Sequence, residues 1–381
     1  MNRLDKFSGL NIPSPCYVCE EDRLISNLEL MKEVQEKAGV DIILALKGFS
    51  MWSTFPLIKQ YLKGATASSV WEAKLAKFEM RGEVHAYSPA YKQQDIDELL
   101  VLCEHISFNS LTQWRRYQAQ VLATEVSPGL RVNPENQEAD TPLYDPCAPG
   151  SRLGILASQL VDQDLSDIEG FHVHNLCECD SFATARTLDA IDNKFGQYLG
   201  KLKWLNLGGG HLMTKAGYDL EHLIQTLIAF KEKYPHLRII MEPGSAVAWQ
   251  AGPLIAEVVD IVYNEQQIAI LDISATGHMP DVLEMPYRPA IYGAGLANEK
   301  AFTYKLGGNS CLAGDVIDEY SFDNALKPGD RLIFEDMLHY TMVKTSFFNG
   351  VEHPAIGVLR KDGKFELIKT FSYEDFRNRL S

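Results

Sequence analysis

Lys47 ends an apolar run, Ile42–Lys47 (IILALK), and is followed by glycine. An amine beside apolar chain is partly desolvated, which lowers its pKa and favours the neutral, nucleophilic form. Such a lysine suits Schiff-base chemistry; the plainer reading is a lysine that snorkels to solvent. His172 and His174 are two apart in a strand-like run, so they share a face. A metal pair, a ring stacked on a cofactor and satisfied core histidines all fit that spacing. Gly208-Gly209-Gly210-His211 and Glu242-Pro243-Gly244-Ser245 follow two later runs. Bare backbone amides there can approach an anion such as phosphate, although any tight turn uses glycine too. Gly307–Asp315 (GGNSCLAGD) sets glycines around Cys311 and Asp315. Its thiol is either a small buried hydrophobe or a proton donor. Glu335–Thr341 (EDMLHYT) and Phe348-Asn349-Gly350 would each pass alone as loops.

These residues need elements to hold them. Eight β-prone runs recur: Ile42–Lys47, Ala65–Val70, Val84–Ser88, His105–Asn109, Pro128–Val132, Ile168–His174, Leu202–Leu207 and Leu237–Met241. Several are apolar on both faces, as strands covered by helices should be. The stretches between them have helical periodicity. In Tyr218–Tyr234, Leu220, Leu223, Ile224, Leu227, Ile228 and Phe230 form one stripe, and Asp219 can cap its start. The alternation predicts an α/β fold, a (β/α)₈ TIM-like barrel over residues 25–250, with a doubly wound open sheet as the rival. In a barrel, chemistry sits at the C-terminal ends of the strands, where Lys47, His172 and His174, the glycine loop and Glu242 fall.

After Gly244 the texture changes to strand-like runs at Ala256–Val262, Ile268–Ile273, Arg331–Phe334, Ile356–Arg360 and Lys364–Ile368. The last two flank Asp362-Gly363, a hairpin signal. A second, C-terminal β-rich domain (a β-barrel or sandwich) is expected over 251–381. Residues 1–24 would join it, since Cys16–Val18 is strand-like and could pair into it.

The sequence has 381 residues, 46% hydrophobic and 23% charged, with a formal net charge of −15. That size buries a core without disulfide or metal staples. The acidic balance argues against nucleic acid and anionic membranes, and suits a cationic small substrate. The first fifteen residues hold no apolar core of a signal peptide, and no apolar run reaches a membrane-spanning length. The seven cysteines are odd in number and scattered, with a single Cys16–Cys19 CxxC, which predicts free thiols and a cytoplasmic location.

In order along the chain, LALKG, ASSVWE, GFHVHN, LNLGGGH, EPG, NSCLAGD, HYT and FNG resemble the alanine-racemase-like, fold-type III pyridoxal phosphate (PLP) enzymes, in the ornithine and diaminopimelate decarboxylase branch. Within that branch GFHVHNLCE, SATGHMPDVLEMPYRP and GGNSCLAGD are similar to the carboxynorspermidine decarboxylases. The resemblance implies a PLP-dependent carboxy-lyase of polyamine (spermidine and norspermidine) biosynthesis, acting on carboxynorspermidine and carboxyspermidine as a homodimer with shared active sites. It implies that Lys47 holds PLP, that His174 rather than His172 stacks on the pyridine ring, and that Gly208, Gly209, Gly210 and Gly244 cradle the phosphate. Tyr340 would contact that phosphate and Glu242 would pair with the pyridine nitrogen. Cys311 and Asp315 would reach the neighbouring subunit's site, Cys311 as proton donor and Asp315 as partner for a substrate ammonium. Asp281 and Glu284 are further expected holders of the distal amines, and Glu72 matches a motif glutamate at the rim.

Glu242 favours decarboxylation over racemisation, because a carboxylate keeps the pyridine nitrogen protonated and the ring a strong electron sink. Two departures stand out. Ser245 follows EPG where decarboxylases of diaminopimelate and ornithine usually carry arginine, and Leu312 replaces an acidic residue after the cysteine. Both argue against a simple amino acid such as diaminopimelate, ornithine or arginine. A metal-dependent barrel hydrolase using His172 and His174 is another reading. It would need further ligands near Cys177, Cys179 and His211, so no metal is expected. A non-catalytic PLP-binding regulator is the remaining one, and the presence of both Lys47 and Cys311 argues against it.

Overall fold

The computed structural model describes residues 6–7, 9–139 and 144–381. Residues 1–5 and 8, part of the stretch 1–24 expected to join the β-rich domain, therefore lie outside the described residues. The chain divides into two units, Asn27–Val247 and a discontinuous one of Met1–Ser26 with Ala248–Ser381.

In Asn27–Val247 the strands are all parallel. The first is broken at Ile43 into Asp41–Ile42 and Leu44–Ala45. Its first piece pairs with Arg238–Met241 and its second with Gly64–Ala67, so the sheet closes on itself. Between these run Glu83–Tyr87, His105–Phe108, Ser127–Asn133, Gly170–His172 and Trp204–Asn206, in sequence order. That is a (β/α)₈ barrel, and the open-sheet rival is excluded by the closure. Ile43, Trp204 and Ile240 pack together in its interior.

The covering helices follow the apolar stripes. In Leu220–Lys233 the buried side chains are Leu223, Ile224, Leu227 and Phe230, each contributing about 1.5–3 kcal/mol by leaving water. Asp219 accepts from the His222 amide at the start, and Lys231 and Lys233 meet the negative end of the helix dipole.

Several strands are shorter than their β-prone runs. The second ends at Ala67, because Ser69 turns the chain and caps the helix Val70–Leu75. The sixth ends at His172 and the first at Ala45. His174 and Lys47 therefore sit on the connecting loops just beyond strand ends.

The other unit is built on an eight-stranded sheet. Its order is Val316–Phe322, Phe302–Gly307, Gln266–Leu271, Leu254–Asn264, Cys16–Glu20, Ala355–Leu359 and Phe365–Lys369, with Arg331–Phe334 also on Leu254–Asn264. Cys16–Glu20 runs antiparallel to Leu254–Asn264 and parallel to Ala355–Leu359, which ties the N-terminal segment into this sheet. Gly363, at φ +83°, turns the final hairpin. The strands Phe302–Gly307 and Val316–Phe322 do not stand out in the sequence. Val316–Phe322 is an edge strand carrying Asp318 and Glu319 mid-run, and an edge tolerates charges that a central strand does not. Among the described residues no helix is long and apolar enough to cross a membrane.

Candidate active site

Lys47, His172, His174, Glu242 and the glycine loops converge at one end of the barrel, where strands give way to loops. Lys47 lies in the turn after strand one, held by the Gly48 and Phe49 amides on the Ala45 carbonyl. The turn is tight. A Cβ on Gly48 would stand 2.8 Å from the Gly244 Cα, so the loops after strands one and eight can approach only as glycines. Solvent reaches Lys47, yet protein crowds its amine. That desolvation, with Arg131 close by, pulls its pKa down from the ordinary value, against weaker opposing pulls from Glu242, Cys177 and Glu72.

His174 stands beside that amine. The Gly209 amide donates to His174 Nδ1 at 2.9 Å, which leaves the neutral ring's proton on Nε2. Nε2 lies 3.3 Å from Lys47 Nζ. An Nε2–H meets a neutral amine as donor to acceptor, but an ammonium as donor to donor. Burial first, then Lys47 and Arg131, hold the His174 pKa well below its usual value. Geometry and electrostatics thus agree on a neutral imidazole beside an amine that gives up its proton easily.

Glu242 is buried, and its Oε1 accepts from Asn206 Nδ2 at 2.6 Å. Asn206 in turn accepts from the Gly208 amide at 2.9 Å. His172 lies 3.5 Å from the other Glu242 oxygen, and neither of its ring nitrogens has a hydrogen-bond partner. Burial lowers its pKa to about 4, so the ring is neutral near pH 7. A buried imidazole with no hydrogen-bond partner, beside a buried carboxylate and near a desolvated amine, gives this polar pocket unmet bonding capacity.

The glycine run after strand seven has a packing reason of its own. Gly210 is at φ +89°, and a Cβ there would meet the Leu176 carbonyl at 2.1 Å. The Gly208 and Gly209 amides are occupied by Asn206 and His174, so these two serve the protein's own bonds. His211 bonds Thr184 and the Leu207 carbonyl within the fold. Glu72 accepts from the Ser68 amide at 2.6 Å while Ser69 caps the same helix, a local helix-start function for the ASSVWE motif.

His172, His174 and Glu242 bring possible ligand atoms within 4.8 Å of one another, as does a second group, Glu83, His85 and His105. In the first group both His174 nitrogens are engaged, and the cations Lys47 and Arg131 stand near. In the second, Arg238 contacts both Glu83 and His105. A cation so placed opposes a metal dication.

Two residues of this site carry no obvious signal in the sequence. Arg131, buried at strand five, donates to the His174 carbonyl at 2.8 Å, and its guanidinium lies 4.5 Å from the centre of the Tyr87 ring. Asn206 positions Glu242. A polar residue at a strand's last position, two before a glycine, is the cue that could have found it.

The remaining expected residues lie in the other unit. Cys311 is exposed, and its amide donates to Asn349 Oδ1 at 2.8 Å. Asp315 is buried and accepts from the Thr276 and Ser310 amides. Asp281 is paired with Lys344 at 2.5 Å, and Lys344 also lies 5.7 Å from the Tyr340 ring. Asp315 and Asp281, expected as charges for substrate, therefore already hold internal partners. Glu284 is exposed.

A family model described as "Pyridoxal-dependent decarboxylase, C-terminal sheet domain" matches residues 16–337. The chain is 53% identical over 371 residues to a carboxyaminopropylagmatine decarboxylase of Synechocystis sp., covering 97% of this chain and 96% of that protein. It is 45% identical to a carboxynorspermidine/carboxyspermidine decarboxylase of Campylobacter jejuni, covering 97% and 98%. The crystal structure of a Campylobacter jejuni carboxynorspermidine decarboxylase complexed with norspermidine superimposes with a TM-score of 0.91 at 44% identity, covering 97% of this chain and all of that one. The fold, the order of the site residues and these similarities agree: the chain belongs to the pyridoxal-dependent decarboxylase family.

Proposed function

We propose that this chain removes CO₂ from a carboxylated linear polyamine, with carboxynorspermidine and carboxyspermidine as substrates and norspermidine and spermidine as products. The observation that supports this most is the Lys47 amine, its pKa lowered by desolvation, 3.3 Å from His174 on a chain similar over nearly its whole length to decarboxylases of such compounds. A second substrate, carboxyaminopropylagmatine, is favoured by the higher identity to the Synechocystis relative. The two classes share the reacting end and differ at the far end, amine against guanidine.

The residues fit PLP. Bound there, PLP would supply the electron sink that takes up the pair left on carbon when CO₂ departs. Lys47, poised to lose its proton, is the amine that would hold the cofactor and yield it to substrate. Glu242, fixed by Asn206, would keep a pyridine nitrogen protonated by favouring its charged form. His174, fixed through Gly209 and Arg131, would present its ring face. Gly208, Gly209, Gly210, Gly244 and Tyr340 would line the phosphate, with Gly208 and Gly209 shaping the loop more than donating to it. Ser245 brings a hydroxyl but no charge. Cys311 would return a proton to the substrate carbon. Glu284, which is exposed, is a further carboxylate for the distal cation, and Asp281 and Asp315 would share theirs with the partners they hold. We further propose a homodimer with shared sites. A cytoplasmic setting is supported by seven free cysteines.

CO₂ release, measured with PLP and carboxynorspermidine, carboxyspermidine, carboxyaminopropylagmatine, meso-diaminopimelate, ornithine and arginine, tests this. Preference for the carboxylated polyamines is expected, and their ranking separates the two readings. Preference for a simple amino acid would overturn the substrate class.

A further inference from the structure

The loop Gly307–Asp315 joins the strands Phe302–Gly307 and Val316–Phe322 and carries Cys311 near its middle. Beside the Asn309 amide on the Ile273 carbonyl, two side-chain anchors hold it. At its far end the buried Asp315 accepts from the Ser310 and Thr276 amides, so the loop is cinched to itself and to the start of the short helix Ala275–His278. At the cysteine, the backbone amide donates to Asn349 Oδ1, a residue 38 positions away in Phe348-Asn349-Gly350. Asn349 is at φ +58°. Left-handed backbone there costs most side chains about 1 kcal/mol, and asparagine is among the few that adopt it readily. The residue type thus meets two demands at once, a left-handed turn and a carbonyl aimed at the Cys311 amide. Neither anchor touches the thiol, so both act on where the backbone puts it.

We propose that Asn349 is a positioning residue for Cys311, fixing the loop so that the thiol meets the substrate carbon. This rests on the reading of Cys311 as proton donor. In that step the bond to the carboxylate breaks, CO₂ leaves, and the electron pair remains on the carbon. The S–H bond breaks and a C–H bond forms, and the thiolate regains its proton from solvent. With the thiol displaced, the proton goes to the cofactor carbon instead, and water completes release of an aldehyde and the amine form of the cofactor. General acids supply roughly 10²–10⁴ in rate, so a misplaced one should cost about tenfold in kcat.

Asn349→Gly removes the acceptor but keeps the left-handed backbone. Asn349→Asp keeps both. On the cofactor-free protein, hydrogen exchange of the segment containing Cys311 should quicken in Asn349→Gly and stay as wild type in Asn349→Asp. On the cofactor-loaded enzyme, Asn349→Gly should lower kcat about tenfold and raise the aldehyde fraction of product, with KM little changed, and Asn349→Asp should restore both. Asn349→Ser, too short to reach the amide, repeats the test if Asn349→Gly does not fold. Wild-type exchange and product ratio in the acceptor-less variant would overturn the proposal. Cys311→Ala, run alongside, separates the two ideas. If Cys311→Ala gives wild-type product, the proton-donor reading falls. If it diverts product while Asn349→Gly does not, only the positioning role falls.

Discussion

The barrel face and the Cys311 loop treat their reactive groups in opposite ways. Around Lys47 the partners are buried or half-buried and each is fixed by another: Gly209 fixes His174, Asn206 fixes Glu242, and Arg131 fixes the His174 backbone. Around Cys311 the thiol is exposed and the loop is tied through its backbone amides. The difference teaches where each kind of chemistry is best placed. Holding charge needs low dielectric and dipoles that do not reorganise, which a barrel end supplies. Delivering a proton needs reach, which a tethered loop supplies.

The sharpest break of this comparison is Lys47→Ala. It should abolish the visible absorbance of the lysine-linked cofactor and lower turnover by several orders of magnitude. An unchanged spectrum would remove the barrel face from the account. Next comes Glu242→Gln. The new amide can still accept from Asn206, so the fold should persist, while loss of the charge should lower kcat about hundredfold, read by steady-state kinetics.

The buried side also has a pH signature. Burial lowers the His172 pKa from 6.5 to about 4, so the folded protein binds that proton less readily than the unfolded chain. His172's contribution is therefore intact above about pH 6.5 and falls progressively towards pH 4, by about 3 kcal/mol in all. His172→Gln should flatten that part of the stability curve, measured by urea unfolding across the range. An unaltered slope would mean that the ring is not the titrating group. The smallest effect is expected from Asp281→Asn. A half-exposed ion pair is worth about 1 kcal/mol or less, so thermal stability should drop slightly and substrate KM should rise no more than about threefold.

The barrel face was largely legible in the sequence because it obeys strand periodicity. Lys47, His174 and Glu242 fall just past apolar runs, and the (β/α)₈ alternation alone sends such positions to one rim. Their supports were less legible. Arg131 acts on a backbone carbonyl, and Asn206 is one polar residue in a short strand; neither contact leaves a spacing in sequence. The loop side was legible in composition but not in connection. Thr276 and Asp315 are 39 residues apart, and Cys311 and Asn349 are 38 apart, distances over which only the folded sheet decides who meets whom. For the same reason Asp281 and Asp315 read as free charges in sequence, while the fold gives each a partner of its own.

The most direct test of the central claim is to load the protein with PLP, reduce it with borohydride to lock the carbon–nitrogen link, and map the modified lysine by peptide mass. The account expects a single pyridoxyl group, on Lys47. A pyridoxyl group on another of the chain's lysines, or none at all, would contradict it.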